Sequence, residues 1–274
     1  MKRDTCMGEV YKARDTRLER TVAIKILPES LARDPLYRER FEREARAISH
    51  LDHPHICPLY DVGNESGTAF LVMQYLDGET LADRLKRGPL PMGLALEYGI
   101  QIADALDKAH RAGTIHRDLK PANIFLTKSG TKLLDFGLAR TGAAVIAATS
   151  TLPTRPADLT APGTILGTIA YMAPEQLEGK EADARADIFA FGAILHEMMT
   201  GRKAFESRSQ ASLVAAIMQA DPPAISTLQP SAPPLLDHVV SRCLAKDRDD
   251  RWQTTSDLMA APLCTASSFQ KSGH

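Results

Sequence analysis

The stretch from Thr114 to Gly137 constrains this chain more than any other. Ile124-Phe125-Leu126-Thr127 and Thr131-Lys132-Leu133-Leu134 are two short runs rich in β-formers, joined by Lys128-Ser129-Gly130. A three-residue connection ending in glycine suits a hairpin whose last loop residue takes positive φ. Antiparallel pairing folds the open ends together, so Asn123, just before the first run, lies near Asp135, just after the second. Paired Cα atoms across such a ladder stand only about 5 Å apart. An amide oxygen and a carboxylate that close make a hard, oxygen-rich site suited to Mg2+ rather than to a soft metal. Upstream, Asp118 is flanked by Arg117 and Lys120, so a second carboxylate stands nearby with cationic neighbours. A metal clamp, a base and a phosphate-facing cation together suit phosphoryl transfer.

Length and composition set the frame. At 274 residues the chain is one large domain or two lobes sharing a cleft, with room for a sizeable core. A formal net charge of −1 gives no field directed at nucleic acid or an anionic membrane. Cys6, Cys57, Cys243 and Cys264 are scattered without a Cys-x-x-Cys pair, as free thiols in a reducing cytosol would be. No apolar run approaches about 20 residues and the N-terminus lacks an export pattern, so the expectation is a cytoplasmic protein without a membrane span.

His116-Arg117-Asp118-Leu119-Lys120-Pro121-Ala122-Asn123, followed by Asp135-Phe136-Gly137, resembles the catalytic core of the eukaryotic-type (Hanks-type) protein kinases. Either motif alone fits a charged helix-to-strand junction. Both together, in order and at hairpin spacing, leave that reading little room. The similarity runs from about Met7 to about Ala261 and is nearest to bacterial serine/threonine kinases. It implies an α+β bilobal fold with a small β-rich N-lobe over residues 1–73, a hinge at 74–79 and a mainly helical C-lobe over 80–261. Residues 262–274 read as a short polar tail.

The N-terminus departs from the family pattern. Gly8 and Val10 match the last glycine and the valine of a Gly-rich loop, but Arg3 and Thr5 stand where the first two glycines belong. Glycines there let backbone N–H groups approach phosphate without side chains in the way. With so little chain before the first evident strand, a looser phosphate lid and weaker ATP binding are expected. Thr21 to Leu27 alternates as a strand with Lys25 its only charge; in the resemblance this lysine holds the α and β phosphates. A helix over Arg38–Ser49 has Phe41, Ala45 and Ile48 on its inward stripe, with Glu44 beside them as the expected partner of Lys25. A surface i,i+4 pair with Arg40 is the plainer role for Glu44.

Strands over Cys57–Val62 and Ala69–Met73 lead to the hinge. By family position Met73 is the gatekeeper, the Gln74 carbonyl and Leu76 amide meet adenine, and Val10, Ala23 and Phe125 sandwich the ring. Leu94 to Arg111 reads as a helix with Leu96, Ile100, Ala103 and Leu106 on one face, stopping at Gly113. By resemblance His116 belongs to an internal spine with Phe136, Ile48 and Leu59. Thr141 to Pro162 is poor in large apolar residues and lies between Asp135-Phe136-Gly137 and Ala173-Pro174-Glu175, as an activation segment would. Arg117 could bind a phosphate on it; Thr164 is the first acceptor and Thr160 the second, while Thr168 would touch Asp118 and Lys120. Asp187 to Met199 is apolar around most of its circumference and reads as a buried helix, which Asp187 could N-cap; in the kinase resemblance the matching aspartate also holds the catalytic-loop backbone. Ser209–Ala220, Pro234–Ala245 and Thr254–Ala261 read as further helices, and Arg251 pairs with Glu175 in the family pattern.

The implied activity is ATP-dependent phosphorylation of Ser/Thr hydroxyls on a protein substrate. Asn123 and Asp135 would hold Mg2+, or Mn2+ in its place, Asp118 would be the base, and Lys25 and Lys120 would neutralise phosphate charge. A homodimer could support phosphorylation in trans. Two alternatives compete: a pseudokinase scaffold, favoured by the altered glycine loop, and a small-molecule phosphotransferase, disfavoured by the long segment ending in Ala-Pro-Glu.

Overall fold

In the computed structural model, residues 2–5, 8–27, 35–65, 67–136 and 167–260 are described. The activation-segment candidates Thr160 and Thr164, Gly137 and the tail lie outside them. The alternating Arg20–Ile26 (β3) is the middle of a five-stranded antiparallel sheet. Its neighbours are Gly8–Asp15 (β2) on one side and Thr68–Gln74 (β5) on the other; Lys2–Thr5 (β1) and Leu59–Glu65 (β4) form the edges. The expectation of almost no strand before Gly8 is corrected: Thr5 pairs with Gly8 and Arg3 with Val10. Backbone pairing needs no glycine at either position, so Arg3 and Thr5 extend the sheet.

The register sorts the side chains by face. Val10 lies opposite Lys25, Lys25 opposite Leu71 and Ala23 opposite Met73, so these residues share one face. Pro35–Ser49 (α1) packs there: Phe41 and Ala45 are buried with Leu27, Ala69 and Leu71 in a small core of their own. Ile48 turns instead to the large core below. Of the apolar stripe read from the sequence, Phe41 and Ala45 thus form the seam between α1 and the sheet.

After Glu79–Thr80 (β6) and Leu81–Leu85 (α2), the chain turns helical. Met92–Arg111 (α3) buries Leu96, Ala103 and Leu106, with Ile100 only partly covered, and Gly113 beyond it has φ 74°. A short 3-10 turn, Pro121–Asn123, precedes the hairpin Ile124–Thr127 (β7) and Gly130–Leu133 (β8), which joins β6 in a three-stranded sheet. Thr127 pairs with Gly130, so the loop is the two residues Lys128-Ser129 rather than three. Gly130 has φ 111°, and a Cβ there would lie 2.6 Å from the Gln101 amide oxygen, which accepts the Thr131 N–H. Glycine is required, but as the first residue of the strand.

Pro174–Leu177 (α4) precedes Ala184–Thr200 (α5), which is buried along almost its whole length. Asp187 does not cap it. Helix-forming Ala184-Arg185-Ala186 extend the helix backwards, and Asp183 is the N-cap, accepting the Arg185 N–H at 2.9 Å. Gln210–Gln219 (α6), Ile225–Leu228 (α7), Pro234–Cys243 (α8) and Thr255–Leu258 (α9) complete the lower body. No described helix is long and apolar enough to cross a membrane.

Candidate active site

The hairpin places the site. Leu134 donates its N–H to the Asn123 carbonyl at 2.8 Å, so Asn123 and Asp135 stand side by side at the ladder's open end. The Asn123 amide nitrogen donates to the Asp118 main-chain oxygen at 2.8 Å and to its Oδ2 at 3.1 Å. That leaves the amide oxygen of Asn123 as its ligand-capable atom. Lys120 Nζ also donates to Asp118 Oδ2, at 2.8 Å, and reaches Thr168 Oγ1 at 3.4 Å. Asp118, Lys120 and Asn123 are all buried. A carboxylate fixed by an ammonium and an amide is oriented before any ligand arrives.

Lys25 Nζ crosses from the sheet to Asp135 Oδ2 at 2.7 Å. This corrects the expected Lys25–Glu44 pair: Glu44 on α1 instead lies 3.8 Å from Arg117 Nη1. The Lys25 ammonium takes the carboxylate that the hairpin delivers beneath it, and Glu44 takes the guanidinium beside it. Arg117 and Asp135 have φ of 63° and 54°, a left-handed conformation that costs a residue with a Cβ about 1–3 kcal/mol and clusters at functional sites.

That backbone is held from below. Asp187 Oδ2 accepts the His116 N–H and Asp187 Oδ1 the Arg117 N–H, each at 2.8 Å. His116 Nε2 lies 2.9 Å from the Leu134 carbonyl oxygen, and its ring stands 4.6 Å from that of Phe136. Ile48 and Phe136 are buried in the large core, with Leu59 packed against it. Arg251 forks onto Glu175 at 2.7 and 2.8 Å and also donates to the carbonyls of Ala245, Lys246 and Arg185.

Met73 ends the shared face that carries Val10, Ala23 and Lys25, and Phe125 on β7 packs beside Gly78 within the hinge. Gly78 has φ 145°, and a Cβ there would overlap the Leu126 carbonyl oxygen at 1.9 Å. Two residues of the site were missed in the sequence. Cys57 Sγ lies 3.8 Å from the Gln74 carbonyl oxygen, and burial pushes its thiol up to about 12, which keeps it protonated and unreactive. His110 Nε2 meets Asp187 Oδ2 at 2.8 Å. Neither contact has a local signature, because each joins residues far apart in the chain.

Among the described residues no group of three His, Cys, Asp or Glu could by itself hold a metal. One amide oxygen and one carboxylate beside a lysine do fit a Mg2+ ion that completes its shell with phosphate oxygens and water.

The protein kinase domain model matches residues 6–263. This chain belongs to the protein kinase family. A probable serine/threonine-protein kinase of Streptomyces coelicolor is 39% identical over 92% of this chain and 37% of its own length. The serine/threonine-protein kinases PknH and PknE of Mycobacterium tuberculosis are 40% and 39% identical, each over 93% of this chain but 39% and 43% of their own lengths. The chain therefore spans about two fifths of the curated relatives it matches. A crystal structure of the M. tuberculosis PknI kinase domain superposes with a TM-score of 0.75 at 29% identity, covering 97% of this chain and 94% of that one. The fold is the bilobal protein kinase fold, and kinase domains of this family use ATP and a divalent metal and act on proteins.

Proposed function

We propose that this kinase domain transfers the γ-phosphoryl group of ATP to Ser/Thr hydroxyls of a protein substrate. The observation that carries the reading is the placement of Asp118. Its Oδ2 is held by Lys120 and Asn123, while Asn123 also neighbours Asp135. Asp118 would accept the proton of the attacking hydroxyl, and Lys120 would hold that carboxylate and face the transferred group. Lys25 would exchange its contact with Asp135 for phosphate oxygens. Asn123 and Asp135 would hold Mg2+, or Mn2+ in its place, which when bound neutralises charge on the phosphates. Met73, the Gln74 carbonyl, the Leu76 amide, Val10, Ala23 and Phe125 would seat the adenine, and Gly8 would face the phosphates.

Regulation is assigned to the segment before Thr168, where phosphate on Thr164 or Thr160 would find Arg117 and displace Glu44 from it. A homodimer phosphorylating itself in trans is the simplest source of that phosphate. The test is incubation of purified protein with Mg-ATP and a generic protein substrate beside Asp118→Asn, followed by phosphosite mapping. Phosphate on Ser/Thr in the parent and none in the variant is expected. Equal labelling, or none in either, defeats the proposal; a Mg-ATP-dependent rise in melting temperature without turnover would mark a pseudokinase scaffold.

A further inference from the structure

We propose that Thr255 is a positioning residue for the catalytic loop, acting through His110 and Asp187. The proposal rests on the kinase reading only for its kinetic readout. Thr255 Oγ1 stands 3.3 Å from His110 Nδ1, and His110 Nε2 stands 2.8 Å from Asp187 Oδ2. The same Oδ2 accepts the His116 N–H, while Asp187 Oδ1 accepts the Arg117 N–H, each at 2.8 Å. Three side chains thus connect the last described helix to the residue that precedes Asp118.

The direction of each bond follows from chemistry. An ionised carboxylate can only accept, so His110 Nε2 carries the proton that meets Asp187. In the neutral ring Nδ1 is then a lone pair, and the Thr255 hydroxyl donates to it. This bond selects one tautomer. In the other tautomer a ring lone pair would face Asp187 Oδ2, inside a site where Asp187 and Thr255 are each 1% exposed. Asp187 would have to turn from it, releasing the His116 or Arg117 N–H. Arg117 has φ 63°, so its loop conformation depends on such outside restraint.

The hydroxyl has no competing duty in building α9. Thr254 is the N-cap, its Oγ1 accepting the Asp257 N–H at 3.0 Å. Docking onto α3 is supplied by Ser256, which donates to Asp107 at 2.6 Å and accepts from Arg111 at 2.9 Å, and by buried Leu258.

The test compares Thr255→Val, which keeps the shape and removes the hydroxyl, with Thr255→Ser, which keeps the hydroxyl. In Thr255→Val, kcat falls about fivefold, the rate equivalent of one lost hydrogen bond, with KM for ATP unchanged. The ring 15N resonances of His110 shift, and amide exchange at His116 and Arg117 quickens. Thr255→Ser restores all three. Unchanged kcat in Thr255→Val, an unshifted His110 ring, or a loss that Thr255→Ser shares would overturn the proposal. Should the parent protein show no turnover at all, the kinase reading falls. The ring shift with faster exchange, reversed by serine, would then still support this proposal, and absence of either would overturn it.

Discussion

At the scale of single residues, Asp118 and Arg251 show two uses of a buried charge. Asp118 is oriented by Lys120 and Asn123 but kept available for chemistry. Asp118→Asn should lower turnover by at least about 100-fold, the low end for a lost general base, with KM for ATP little changed in steady-state assays. Arg251 is wholly buried and satisfied on every side by Glu175 and three carbonyls. Glu175→Ala leaves that guanidinium without its counter-charge. Because the carbonyls remain, the expected loss is about 3 kcal/mol, the lower end for breaking a buried pair, read from urea unfolding. The two predictions are read differently, Asp118→Asn in turnover and Glu175→Ala in unfolding.

Among elements, α5 is the post to which the catalytic loop is tied, and its N-terminus shows how pH reaches it. The Arg185 guanidinium and N–H hold the Asp183 carboxyl below its ordinary value of 3.8. A folded value below the unfolded one means that the stabilisation is fully present above pH 3.8 and is lost as pH falls through the lower folded value. Asp183→Asn keeps a side-chain cap but has no proton to take up. It should therefore flatten the stability–pH curve below about pH 4 in acid urea titrations and lower neutral-pH stability by the same amount that the parent loses on acidification. The effect is small, since the Asp183 side chain is 39% exposed and its ion pair is screened by water.

For the whole molecule, ligand binding must join parts from both lobes: Lys25 from the sheet, Asn123 and Asp135 from the hairpin below. Mg-ATP at about 100 times its Kd should stabilise the protein by about 2.7 kcal/mol, a thermal shift of about 5–10 °C. Asp135→Asn should remove the metal-dependent part of that shift in melting scans. An equal shift with and without Mg2+ in the parent would contradict the assignment of Asn123 and Asp135.

Much of this was legible in the chain itself. The hairpin, the α1 stripe and the buried α5 follow from periodicity and turn chemistry, which are local properties, while the Glu175–Arg251 bridge, 76 residues apart, was implied by the resemblance to protein kinases. The hairpin loop was misjudged by one residue because Gly130 needs positive φ as the start of a strand. The cap of α5 was misjudged because Asp183 and Asp187 are both acceptable at a helix start, and the choice turned on three helix-forming residues between them.

The amino-acid sequence by itself determined which groups the cleft contains: the carboxylates, lysines and amide whose order and spacing are set along a few turns of chain. Only the tertiary structure decided how they pair. Lys25 lies against Asp135 and Glu44 against Arg117 because a sheet, a helix and a hairpin meet there. His110 and Thr255 join the loop's support because α3 and α9 pack side by side. Ion pairs and tautomers depend on distances of a few ångströms, and distances between remote segments exist only once the core has brought those segments together.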